Sequence, residues 1–196
     1  MIINDLAFLR NKSEPVLTVS EAQDIIKKLI VEKSNEGVGL AAIQIGIQKQ
    51  VAIVIGRGDV IPIINPQIIE MDEEFIFDGE GCLSFPKIFC KSKRYRHFVI
   101  KNNVIDGDKF REETQYYFCG TTISRDFSLS DYEAIAVQHE IDHFFGKTIM
   151  GYGYDKYENS TGVKRMEEKV GRNDPCPCGK KDLNGNSIKY KKCCGK

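Results

Sequence analysis

Histidine is scarce in this chain, with three among 196 residues. Any metal site built on imidazole must therefore recruit other donors. Long apolar runs are missing too: none approaches the ~20 residues that a membrane-spanning helix requires, so no membrane partner is expected. The first ten residues, MIINDLAFLR, lack a basic segment followed by an apolar one. They are not rich in Arg and Ser either, so neither a signal peptide nor a transit peptide is expected. The net charge is zero, and nothing points to DNA. No internal repeat and no low-complexity segment interrupt the chain. The expectation is one sizeable core with a small appendage, in the cytoplasm.

The charge is unevenly spread. Residues 172–196 carry +5, from Arg172 and six lysines against Asp174 and Asp182, and residues 1–171 carry −5. A basic tail on an acidic body suggests an anionic partner for the tail. The seven cysteines are an odd number, and Cys176, Cys178, Cys193 and Cys194 crowd the last 21 residues. In a reducing compartment those spacings favour a metal over disulfides.

Ile25, Ile26, Leu29 and Ile30 recur at helical spacing within 20–34, with Ser20 as the expected N-cap. Residues 50–56 and 60–66 are β-branched runs bounded by Gly and Pro and read as strands. Residues 75–86 read as a strand entering a loop that holds Cys82. Residues 97–110 and the run to Cys119 read as a hairpin turning at Asp106-Gly107. Ser130 and Glu133 form an expected capping box for a helix that runs to Gly146. Strands lie mostly in the middle and helices at either end, without βαβ alternation, so the fold class is α+β.

VQHEIDHFFG, residues 137–146, places His139 and His143 one helical turn apart. Both imidazoles can then reach one ion, with Glu140 beside it to take a proton from water. The alternative is an exposed helix that carries these residues by chance. A third donor has to come from His97, Cys82, Cys90 or Cys119. His97 reads as a surface or half-buried strand residue, and Cys90 and Cys119 as buried apolar thiols.

Three segments occur together: GVGLAAIQ (37–44), EGCLS (80–84) and HEIDH (139–143). In this order and spacing they resemble the motifs of the peptide deformylase family, with weaker echoes in FLRNKSEPV and Arg94. The resemblance covers roughly residues 4–150. It implies antiparallel sheets around a central helix bearing HEIDH, and Cys82 as the third ligand with His139 and His143. Two imidazoles and one thiolate leave a fourth position open, as a catalytic site requires. Fe²⁺ is the typical ion of the family, with Zn²⁺ or Ni²⁺ as substitutes. The implied reaction removes the formyl group from formyl-methionyl peptides. Glu140 serves as general base, and Gln44 with the Leu83 backbone N–H holds the oxyanion. Val38, Gly39, Leu83 and Ile135 would line the methionine pocket. Glu80 and Asp142 are expected to be structural, a carboxylate behind a ligand orienting its imidazole. The family often carries an Arg shortly after EGCLSxP, where this chain has KIFCKSK.

The tail, residues 173–196, resembles the SEC-C motif through PCPCG, KYKK and the terminal cysteine pair. It implies a zinc knuckle on Cys176, Cys178, Cys193 and Cys194, lengthened by DLNGNS. The expected organisation is a catalytic domain over 1–160, a linker over 161–172 and the zinc-binding motif over 173–196. Ribosome contact is the expected use of the basic tail. A zinc endopeptidase would leave EGCLS and GVGLAAIQ unexplained. A non-catalytic adaptor would leave an intact set of catalytic positions without a role.

Overall fold

The computed structural model describes residues 1–33, 37–56, 58–120, 128–150, 155, 156, 173, 186, 187 and 189–192. The charged stretch 163–172 and the four tail cysteines lie outside the described residues. The chain divides into two compact units, Met1–Tyr157 and Glu158–Lys196. In the second, the described part includes one 3₁₀ turn, Tyr190–Lys192.

The first unit is α+β with antiparallel sheets. A short helix α1 (Leu6–Leu9) and helix α2 (Val19–Glu32) precede a three-stranded sheet of β1 (Gly39–Ala41), β2 (Val51–Gly56) and β3 (Asp59–Ile64). A larger sheet follows, of β4 (Gln67–Cys82), β5 (Phe85–Asp106) and β6 (Lys109–Phe118), with a short β7 (Asp155–Lys156) on β5. Helix α3 (Leu129–Phe144) lies among these strands.

Strand alternation splits the core in two. Leu40, Val51, Ile53 and Ile64 face α2, where Ala22, Ile25 and Leu29 are buried. Ala41, Ala52, Val54 and Ile63 face the cluster that contains α3. Helix α3 is buried along nearly its whole surface from Ala134 to Phe144. A helix covered on every side holds its polar side chains in a dry environment, and this one carries HEIDH.

Three boundaries differ from expectation. The N-cap of α2 is Thr18, whose hydroxyl accepts from the Glu21 N–H at 3.2 Å. Starting there buries Val19. The capping box of α3 is Ser128 with Asp131, not Ser130 with Glu133. Asp131 also accepts from the Gly120 N–H at 2.5 Å, which ties the helix start to the end of β6. Cys82 is the last residue of β4 and pairs with Phe85 across a tight turn, rather than sitting in a loop. Strands β4 and β5 extend far beyond the expected runs; much of β4 is solvent-exposed and charged, so its sequence lacks the apolar alternation that marks a strand.

The expected hairpin at Asp106-Gly107 is present, with Asp106 paired to Lys109 and Gly107 at φ 65°. Asn102, fully buried on β5, joins the two sheets. It accepts from the Ile64 N–H at 2.7 Å and donates to the Pro62 carbonyl at 3.0 Å and to Gln115 at 3.2 Å. Asn102→Ala removes the side-chain partner of the Ile64 N–H and the Pro62 carbonyl, while Gln115 keeps the Tyr117 hydroxyl at 2.9 Å, and it is expected to lower stability by about 2–3 kcal/mol in urea unfolding. A loss under ~0.5 kcal/mol would show that the sheets are held together without it.

Candidate metal centre

Helix periodicity puts His139 and His143 on one face, with ring centroids 5.0 Å apart and planes at 86°. The end of β4 brings Cys82 to them, its Sγ lying 3.5 Å from the His143 Nε2. One donor atom from each of Cys82, His139 and His143 lies within 4.8 Å of the other two. All three residues are buried. Two imidazoles and a thiol, close together and dry, fit a divalent transition metal with one position open.

The 3₁₀ turn Ala42–Ile45 after β1 places Gln44 beside this cluster. Its Oε1 accepts from the Ala41 N–H at 2.8 Å. Its Nε2 donates to the Cys82 Sγ at 3.3 Å and to the Ser84 Oγ at 3.1 Å. Glu140 is 3% exposed, and its Oε2 is buried with no hydrogen-bond partner among the described residues. Gly39 lies directly against that carboxylate. A Cβ there would stand 2.9 Å from the Glu140 Cδ and closer still to Oε1.

Behind His139 runs a chain of buried charges. The His139 Nδ1 meets the Glu80 Oε1 at 2.6 Å. Arg94 donates to both Glu80 oxygens, and its Nη1 donates to the Asp142 Oδ2 at 2.7 Å. Ser92 donates to the Glu80 Oε2 at 2.5 Å. Glu80 orients the imidazole as expected, whereas Asp142 acts one step further back, on Arg94. The importance of Arg94 exceeds what its sequence context suggested, and Ser84 and Ser92 are additions. Their sequence signals were faint: the serine of EGCLS, and a serine two positions before Arg94, where strand alternation turns both to one face.

Burial by itself raises an acid's pKa, but here the partners override it at two groups. The Arg94 guanidinium holds the Glu80 carboxyl well below its usual range despite desolvation. The charge of His143 and a hydrogen bond from His139 bring the buried Cys82 thiol down to about 5. At Glu140 desolvation wins and the carboxyl is pushed up to about 7.

A raised folded pKa contributes stability below the unfolded value, and that contribution is lost as pH rises through the folded one. In the metal-free protein, Glu140→Gln is therefore expected to be more stable than wild type at pH 8, by at most about 3 kcal/mol. The two should converge at pH 4. Parallel stability curves across that range would show that Glu140 is not desolvated.

The remaining expected site residues fall as follows. Leu83 is half-buried in the turn after Cys82, against Gly37. Val38 is 43% exposed and Ile135 is buried in the core cluster. His97 lies on β5 against Glu73 and Phe118, at 3.5 and 4.9 Å. Cys90 and Cys119 are buried thiols. Glu133 does not cap α3; its Oε2 is buried near Gly56.

The sequence profile described as "Polypeptide deformylase" matches residues 2–153. The chain belongs to the polypeptide deformylase family. A peptide deformylase of Thermotoga maritima is 34% identical over 145 residues, covering 72% of this chain and 79% of that protein. Peptide deformylase 2 of Vibrio cholerae is 30% identical over 167 residues, covering 83% and 89%. The crystal structure of the Thermotoga maritima peptide deformylase superposes with a TM-score of 0.60 at 30% identity, covering 76% of this chain and 93% of that one. Members of this family are metal-dependent hydrolases, and the Cys82, His139 and His143 cluster is the possible metal site here. Among the described residues, no helix is long and apolar enough to cross a membrane.

Proposed function

We propose that this deformylase hydrolyses the N-terminal formyl group of formyl-methionyl peptides at Cys82, His139 and His143. The observation that carries the reading is the buried Glu140 carboxylate beside that cluster, whose Oε2 has no hydrogen-bond partner among the described residues. Cys82, His139 and His143 would hold a divalent ion, which would polarise the water and the formyl carbonyl. Glu140 takes the proton of the attacking water and returns it to the leaving amine. Gln44, anchored through Ala41 and lying beside Cys82, donates to the developing oxyanion with the Leu83 backbone N–H. Val38, Gly39 and Ile135 receive the methionine side chain. The depressed Cys82 thiol supports a thiolate ligand, and a Cys/His/His set in a reducing cytoplasm suits Fe²⁺, with Zn²⁺ or Ni²⁺ as substitutes.

The proposed organisation keeps 1–160 as the catalytic domain, 161–172 as a linker and 173–196 as a zinc knuckle on Cys176, Cys178, Cys193 and Cys194. Its basic charge would serve contact with ribosomal RNA. Unchanged ribosome co-sedimentation at low salt after deleting 172–196 would refute that contact. The catalytic reading is tested by formate release from formyl-Met-Ala-Ser with anaerobic, Fe²⁺-loaded protein. Release is expected. Its absence, with metal shown at Cys82, would overturn the substrate assignment.

A further inference from the structure

We infer that Ser92 is a positioning residue for the metal centre, acting on His139 through the Glu80 carboxylate. The inference rests on the reading of Cys82, His139 and His143 as metal ligands. Alternation along β5 turns Cys90, Ser92 and Arg94 to the same buried face. Glu80 stands opposite Cys90 in the register, so its carboxylate lies along this row. Ser92 is 1% exposed, and among the described residues its hydroxyl has one hydrogen-bond partner, the Glu80 Oε2.

The geometry around Glu80 explains what that hydroxyl does. Oε1 receives the Arg94 Nη2 and the His139 Nδ1. Oε2 receives the Arg94 Nε at 2.7 Å and the Ser92 Oγ at 2.5 Å. Each oxygen thus has two donors, which fixes both the position and the rotation of the carboxylate. Arg94 binds edge to edge, and Asp142 holds its far nitrogen at 2.7 Å. That pairing fixes the distance but permits the two groups to rock together in their common plane. The Ser92 hydroxyl comes from a different residue and pins Oε2, so Oε1 stays aimed at the His139 Nδ1–H. With that proton held on Nδ1, the Nε2 lone pair of His139 remains on the side of Cys82 and His143.

Packing alone does not account for a serine here. An apolar side chain of similar volume would fill the same inward position on β5 without burying a hydroxyl. The hydroxyl's fixed partner is a carboxylate that touches a metal ligand. Groups that orient a metal-bound imidazole typically contribute 10–100-fold to metal affinity. Ser92 acts one bond further out, which places its effect near the lower end.

The test uses the full chain and Co²⁺ as the probe, with Cys82→Ser protein as the blank for Co²⁺ taken up by the tail. Ser92→Ala is expected to weaken Co²⁺ at the Cys82 site about tenfold, and Ser92→Thr, which keeps the hydroxyl, by less than about twofold. In a Glu80→Gln background the Ser92→Ala loss should largely vanish, because the two act through one contact. Urea midpoints measured alongside separate loss of fold from loss of aim. Wild-type affinity in a folded Ser92→Ala protein, or full additivity with Glu80→Gln, would overturn the inference. Equal losses for Ala and Thr would overturn it too. If Ser92→Ala does not fold, Ser92→Val, which also lacks the hydroxyl, takes its place against Ser92→Thr and in the Glu80→Gln background. Failure of wild type to bind Co²⁺ through Cys82 would instead defeat the underlying metal-site reading.

Discussion

Glu140→Ala is expected to lower kcat/KM for formyl-Met-Ala-Ser by about 10³–10⁴-fold while leaving metal content at the Cys82 site unchanged. The carboxylate is buried against Gly39, and its Oε2 has no partner among the described residues. A buried polar atom without a partner is costly, so its persistence points to a partner that arrives with the reaction. Desolvation pushes the carboxyl up to about 7, a suitable basicity for taking a proton near neutral pH and giving it back. Water at the same position can accept a proton, but not with a fixed orientation. Formate release by the metal-loaded variant within tenfold of wild type would remove Glu140 from the mechanism. Loss of metal together with activity would make it a ligand rather than a base.

Gly39→Ala is expected to lower kcat about 100-fold with much less effect on KM. The added Cβ would meet the Glu140 Cγ and Cδ at 2.9 Å and overlap Oε1. A flexible exposed glutamate would swing away, but Glu140 is enclosed and its displacement has to occur within the site. A shift of ~1 Å in a catalytic group costs on the order of 10² in rate. Gly39 pairs with Val54 in the sheet, on the face toward α3, so the backbone cannot retreat without breaking that register. Kinetics and a melting curve of the same metal-loaded preparation separate the two consequences. Wild-type kcat with lowered stability would mean that the sheet yields and the carboxylate does not.

The recognisable part of the site was the part encoded locally. His139 and His143 announce themselves because a helix repeats every 3.6 residues, and neighbouring turns of one helix are fixed by the backbone alone. GVGLAAIQ and EGCLS carried the family likeness, and with it the expectation of Cys82 as third ligand and of Gln44 at the site. The extent of β4 and β5 was not legible. QIIEMDEEF lacks clean apolar alternation because most of that strand faces water, and the pattern that marks a strand arises from one-sided burial. The sequence alone does not choose the cap of α3, because Ser128 and Ser130 offer the same chemistry. Only the Asp131 contact with Gly120 chooses between them.

By itself, then, the sequence determined the fold class, the helical histidine pair with its glutamate, and the family to which the chain belongs. The tertiary structure decided that Cys82 ends a strand and that Gly39 makes room for Glu140. It also decided that Ser92, Arg94 and Asp142 stand in line behind His139. These are facts of strand register and helix docking. They depend on residues that meet across long stretches of chain, 38 positions for Gln44 and Cys82 and 61 for Cys82 and His143, and no local period records that.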